Sequence, residues 1–232
     1  MKRLLAVLLT AVLIISFSSC GSTEKKLPKG ATEDEANYPK RVKENFVEND
    51  NETRMTYLFT LANYTTEFNT MYKKLGGDYK EFPYKNWINR ADEKRSNGKV
   101  YNYYYLKSKD VVLTATEEDE SGRLINIGCG ISVKKFNSSE KIKSRVMTIC
   151  GIMAASAGGY RASDVNFFSN LFADTISRDD HSFWYDGCIY IYDKETSSDN
   201  TETILFRTMP ADKSIKIDWN LQDYEEYWFK DK

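Results

Sequence analysis

The stretch SSEKIKSRVMTICGIMAASAGG, residues 138–159, decides the fold class. Ser138-Ser139-Glu140 has the order of a helix start, hydroxyl caps followed by an acid in the first turn. Ile142, Val146, Ile149, Cys150, Met153 and Ala157 then recur three and four residues apart, which places them on one helical face. Gly158-Gly159 stops the run. The spacing predicts a helix over 138–157 whose apolar stripe lies deep in the core. Residues on either side of it change period.

Toward the N-terminus the pattern is that of strands. Arg123–Lys134 reads as one strand and the β-branched run Asp110–Thr116 as its partner, joined by the turn Glu118-Asp119-Glu120-Ser121-Gly122. Val100–Leu106 is tyrosine-rich, with Tyr101, Tyr103 and Tyr105 on one face and Tyr104 on the other. Trp87–Arg90 gives a weaker strand signal. Before it, Tyr64, Phe68, Met71, Tyr72 and Leu75 predict a helix from about Asn63 to Leu75, closed by Gly76-Gly77. Met55, Tyr57, Phe59 and Leu61 alternate with polar or smaller neighbours and predict a strand ahead of that helix.

Toward the C-terminus, Ser163-Asp164 opens a helix with Val165, Phe168, Leu171, Phe172 and Ile176 inward. Three strands are expected next: Phe183–Tyr192, Thr203–Met209 and Ser214–Trp219, followed by a short helix over Leu221–Phe229. The order predicts an α+β fold, antiparallel sheet with helices packed on one face. The division 52–136 and 137–232 gives two helix-plus-meander halves, a pattern compatible with a diverged duplication. The second half resembles the helix-hairpin-plus-sheet layout of the BamE and β-lactamase-inhibitor folds.

The first residues form an address. Lys2 and Arg3 precede an apolar run, Leu4–Phe17, shorter than the roughly 20 residues a spanning helix needs. Phe17-Ser18-Ser19-Cys20 resembles the lipobox of bacterial lipoprotein signal peptides, with Phe where that family has Leu. The resemblance implies cleavage before Cys20, a diacylglycerol on its sulfur, and attachment to the outer side of a membrane in the bacterial cell envelope. Residues 1–19 are then a signal peptide and 20–51 a lipidated cysteine with a flexible tether. The α+β domain is expected over 52–232.

Cleavage removes Lys2 and Arg3 from 33 basic residues and none of the 34 acids, so the mature net charge is about −3. That balance excludes strong electrostatic attraction to nucleic acid or anionic lipid, and the lipid itself must hold the membrane. Beyond Cys20, the thiols are Cys129, Cys150 and Cys188, with no Cys-x-x-Cys spacing and one histidine. Zinc ligation has no motif here, and nothing calls for a cofactor.

No catalytic constellation stands out. His181 and Cys188 belong to one segment, but it reads as a loop running into a strand, without the helix N-terminus that activates a thiolate. The acids Glu117, Glu118, Asp119 and Glu120 lack the calcium-loop order and read as a hairpin tip. Gly158-Gly159-Tyr160-Arg161 lacks a phosphate-loop lysine. Aromatic residues, 14% of the chain, exceed what one core face needs. The expectation is therefore a non-catalytic binding module for an envelope protein or glycan. Trp184, Tyr185, Tyr224, Tyr227 and Trp228 are its candidate contacts. The rivals are an envelope-polymer hydrolase using carboxylates and a passive surface lipoprotein.

Overall fold

The computed structural model describes residues 39–43, 46–48, 55–94, 98–177 and 182–210. In chain order these form strands β1 (Phe46–Glu48) and β2 (Met55–Tyr57), helix α1 (Leu61–Lys74), and strands β3 (Ile88–Lys94), β4 (Val100–Lys107), β5 (Val112–Glu118) and β6 (Arg123–Ser132). Helices α2 (Val133–Phe136), α3 (Glu140–Gly158) and α4 (Val165–Ser177) follow. Strands β7 (Ser182–Tyr185), β8 (Cys188–Thr196) and β9 (Glu202–Pro210) complete the described chain.

Seven strands form one antiparallel sheet in the order β3-β4-β5-β6-β9-β8-β7. The fold is α+β, as the change of period along the sequence predicts. Two meanders meet where β6 pairs β9, the last described strand of each expected half. Leu106, Leu113, Cys129, Phe206 and Tyr192 are successive cross-strand partners and are all buried on the helix-covered face. The outer strand β3 is exposed along its whole length. Its Arg90, Asp92, Glu93 and Lys94 guard that edge against pairing with other chains.

Helix α3 is the centre of the core. Ser139 caps it by accepting from the Ile142 amide, and Gly159 at φ 80° closes it in the left-handed region. Every residue from Ile149 to Gly158 is buried, so the predicted stripe widens to the full circumference over the last turns. Small residues permit this: a Cβ on Gly151 would stand 2.2 Å from Ser169 Oγ, where α4 crosses. Helix α1 begins at Leu61 rather than Asn63, because Thr60 supplies the cap, and this ends the preceding strand at Tyr57.

Two further differences from the sequence reading have local causes. The run Phe183–Tyr192 is a hairpin and not one strand. Asp186 and Gly187, at φ 46° and 80°, make the two-residue turn between β7 and β8 that suits the twist of paired strands. Residues 39–43 and 46–48 also belong to the folded part, ahead of the expected start at 52. Val42 N and Lys43 N donate to Gly159 O at 2.9 and 3.1 Å. Arg41 pairs with Asp186 at 3.0 Å, and the Tyr185 hydroxyl donates to Pro39 O at 2.7 Å. This strap runs over the end of α3, and β1 pairs β2 beyond it. The remainder of the expected tether, the lipobox and the expected elements over 214–219 and 221–229 lie outside the described residues.

Candidate binding site

Helix α1 carries a polar ridge with a hollow on each side. The first hollow, about 350 Å³, opens between α1, the strap and the C-terminal end of α3. Lys43 and Glu67 form a 2.8 Å ion pair at its rim, so the rim carries no net charge. Phe59 forms one wall, its ring stacked against Tyr57 and Tyr64 at 4.8 and 5.8 Å. Tyr64 is buried at the base of the hollow beside Ser156; burial outweighs the Ser156 hydroxyl and pushes the Tyr64 pKa well up, so the phenol stays neutral.

The second hollow, about 410 Å³, is lined by Thr65, Thr66, Asn69, Thr70, Lys73 and Tyr84. It shares Thr66 with the first. The hydroxyls of Thr65, Thr66 and Thr70 each donate to the carbonyl one turn back, at 2.7, 3.0 and 2.8 Å. Their protons are thus committed, and Thr66 and Thr70 offer oxygen lone pairs; Thr65 accepts from Trp87 Nε1 at 2.9 Å. Asn69 donates to Phe82 O at 2.8 Å, leaving its buried Oδ1 without a partner. Tyr84 stands beside these acceptors with 55% of its surface exposed. Thr66 and Thr70 present acceptors, Lys73 a donor and Tyr84 an aromatic face, a mixed lining that matches hydroxyl groups, which both donate and accept.

Of the expected contact residues, Tyr185 alone has a described side chain. Tyr185 is buried, not solvent-facing: its ring packs against Tyr160, Phe167 and Phe168. Trp184 pairs Ile189 through the backbone of β7, and its side chain lies outside the described residues. Tyr224, Tyr227, Trp228, Cys20 and His181 also lie outside them. Cys188 is fully buried and its thiol is pushed up to about 12 by that burial, the behaviour of a structural thiol. Burial and the adjacent Cys129 thiol push Cys150 up in the same way.

The buried and half-buried acids Asp110, Glu81 and Glu118 are paired with cations. Asp110 lies 3.0 Å from Lys135 and 3.3 Å from Arg145, with its side chain 2% exposed. Arg145 also grips Glu81, which accepts from the Tyr72 hydroxyl at 2.9 Å. Glu118, at the expected hairpin tip, accepts from Lys99 at 2.6 Å and Ser121 at 2.7 Å. Among the described residues no group of His, Cys, Asp and Glu is placed to hold a metal ion, and no helix is long and apolar enough to cross a membrane. No protein-family model, curated protein or solved structure matches this chain.

Tyr84 and Thr66 were invisible to periodicity. Tyr84 sits in a 3₁₀ turn after Pro83, outside any apolar run, and Thr66 reads as a solvated helix position. Tyr84 shares its loop with Tyr79, Phe82 and Trp87, and nothing in that run of the sequence separates the exposed ring from the buried Phe82.

Proposed function

We propose that this protein is a lipid-anchored, non-catalytic binding module of the bacterial cell envelope that takes a neutral glycan strand along helix α1. The observation that carries the reading is the pair of hollows joined at Thr66. Contiguous hollows on two sides of one helix suit an extended polymer better than a compact metabolite. The mixed acceptors and donors of Thr66, Thr70 and Lys73 complement sugar hydroxyls, and Tyr84 supplies a ring on which a sugar face can stack. The anchor part of the proposal rests on the lipobox-like Phe17-Ser18-Ser19-Cys20.

Calorimetric titration with neutral oligosaccharides of increasing length tests the glycan reading. Affinity is expected to rise with length until both hollows are filled. Tyr84→Ala should weaken binding about tenfold, the equivalent of about 1.4 kcal/mol, with little change in Tm because the ring is more than half exposed. Thr66→Val should weaken binding by removing the hydroxyl that the two hollows share. Saturable binding that neither substitution alters would place the glycan elsewhere. No binding at any length, together with capture of an envelope protein lost in Tyr84→Ala, would replace the glycan by a protein ligand.

A further inference from the structure

The loop between α1 and β3 turns back along α1 and is pinned to it at two points. Phe82 O accepts from Asn69 at 2.8 Å, and the Phe82 ring is fully buried, edge-on to Phe68 and Tyr72. Trp87 Nε1 donates to Thr65 Oγ1 at 2.9 Å. Between these pins the chain makes a short 3₁₀ turn, Tyr84–Asn86, entered through Pro83. More than half of Tyr84 is exposed, so little packing of its own fixes the ring. Its place in the second hollow is inherited from the loop backbone.

We infer that Arg145 of α3 is a positioning residue for the second hollow, clamping the loop that presents Tyr84. The role rests on the proposed binding site, whereas the clamp itself does not depend on what is bound. Arg145 lines neither hollow. Its Nη2 grips Glu81, the residue before Phe82, and donates to the Tyr72 hydroxyl at 3.4 Å. Tyr72 in turn donates to the other Glu81 oxygen at 2.9 Å. Nη1 lies 3.3 Å from Asp110 in the β4–β5 turn, a side chain 2% exposed that also meets Lys135 at 3.0 Å. The buried Asp110 thus orients the guanidinium, and the planar fork reaches two carboxylates at once.

Removing the guanidinium leaves Glu81, whose side chain is 18% exposed, with the Tyr72 hydroxyl as its partner among the described residues. A half-buried carboxylate without a cation is better solvated in water. Glu81 therefore turns outward and draws the backbone of Phe82 and Pro83 with it. The Tyr84 ring then samples several positions, and only a fraction of molecules holds it where a ligand can stack. Asp110 keeps Lys135, which confines the change to the loop.

The test uses the full chain and compares Arg145→Ala, Glu81→Ala and Tyr84→Ala. Amide exchange reads the clamp at Glu81, Asn86 and Trp87, which donate to the Asp78, Pro83 and Tyr84 carbonyls at 3.0, 3.0 and 3.1 Å. Arg145→Ala should speed exchange there about tenfold and leave β5 and β6 unchanged. Glu81→Ala removes the same clamp from the loop side, leaves Asp110 fully paired, and should do the same; it decides the matter if Arg145→Ala fails to fold. Tyr84→Ala should leave exchange unchanged. Calorimetry with a neutral oligosaccharide long enough to saturate the site reads the consequence. Arg145→Ala should weaken binding several-fold, within the limit of about tenfold set by Tyr84→Ala, and should cost nothing further in the Tyr84→Ala background. Arg145→Lys keeps the charge but meets one carboxylate at a time, so it should restore part of the affinity. Unchanged exchange in both clamp variants overturns the inference, as does faster exchange spread over the whole fold. So does an affinity that Arg145→Ala leaves intact, or a loss that persists in full without the Tyr84 ring. If the unsubstituted chain binds no oligosaccharide, the glycan reading alone fails and exchange decides the clamp.

Discussion

Gly159→Ala, set against Gly76→Ala, measures how firmly the strap at 39–43 is held. Both glycines are left-handed, at φ 80° and 86°, so an alanine at either position carries the same backbone penalty of about 1–2 kcal/mol. Their surroundings differ. A Cβ on Gly76 meets nothing within 4 Å, whereas one on Gly159 would stand 2.2 Å from Lys43 O. Lys43 O is backbone, so the strap must lift. Lifting forfeits two hydrogen bonds to Gly159 O and the Tyr185–Pro39 bond, each worth about 0.5–1.5 kcal/mol net. The Arg41–Asp186 pair adds a smaller amount, since Asp186 is well exposed. The strap shifts without becoming free, so little backbone entropy is regained, and the two bonds to Gly159 O set the scale. The difference between the variants should therefore be about 1–3 kcal/mol. Urea unfolding gives both values, and hydrogen exchange at the Val42 and Lys43 amides shows whether the strap has left. Equal stability losses with unchanged exchange would refute the claim that Gly159 is required by the strap.

The other expectations are simpler. Ile149→Ala removes a fully buried side chain from the centre of α3 and should cost about 2–5 kcal/mol in chemical denaturation; a loss under about 1 kcal/mol would make α3 peripheral. Burial alone would raise the Glu118 pKa, but Lys99 and Ser121 outweigh it and hold the carboxyl below its ordinary value. A depressed folded pKa contributes stability above the unfolded value and loses it as pH falls through the folded one. Glu118→Gln should accordingly flatten the acid limb of the stability curve, and an unchanged limb counts against the pairing. Cys20→Ala should abolish incorporation of labelled fatty acid; equal labelling in the variant would remove the anchor.

Local chemistry was legible wherever the chain carries its own punctuation. The limits of α3 follow from Ser139 and Gly159, and α4 follows from its apolar spacing. The β5–β6 hairpin follows from Ser121-Gly122 between apolar runs. What escaped is non-local. Pairing of β6 with β9 joins residues about 75 positions apart, and no sequence period encodes it. The apolar run at 183–192 concealed Asp186-Gly187, although Asp-Gly is itself a hairpin signal. The strap reads as a polar spacer because its contacts, Gly159, Asp186 and Tyr185, are all distant in sequence. The candidate site escaped for the same reason: Thr66 becomes part of a hollow only when neighbouring elements frame it.

The tyrosines show why residue type alone does not locate a contact surface. A chain with 16 of them reads as rich in contact aromatics, yet several here join elements through both ends of the side chain. Tyr57 buries its ring in the core while its hydroxyl meets Thr208 Oγ1 at 3.2 Å, joining β2 to β9. Tyr160 packs its ring at a tilt against Phe168 and donates to Asp186 at 2.6 Å, fixing the α3–α4 connection to the β7–β8 turn. Tyr185 does the same for the strap, and Tyr72 links α1 to Glu81 and through it to Arg145 of α3. Phenylalanine would fill these spaces but leave the opposite polar groups unpaired, a loss of about 1–3 kcal/mol where the group is buried. Tyrosine is therefore selected by the fold at these positions, and the tyrosine that stands out for recognition is Tyr84. Its ring is more than half exposed, and it lines the second hollow beside α1.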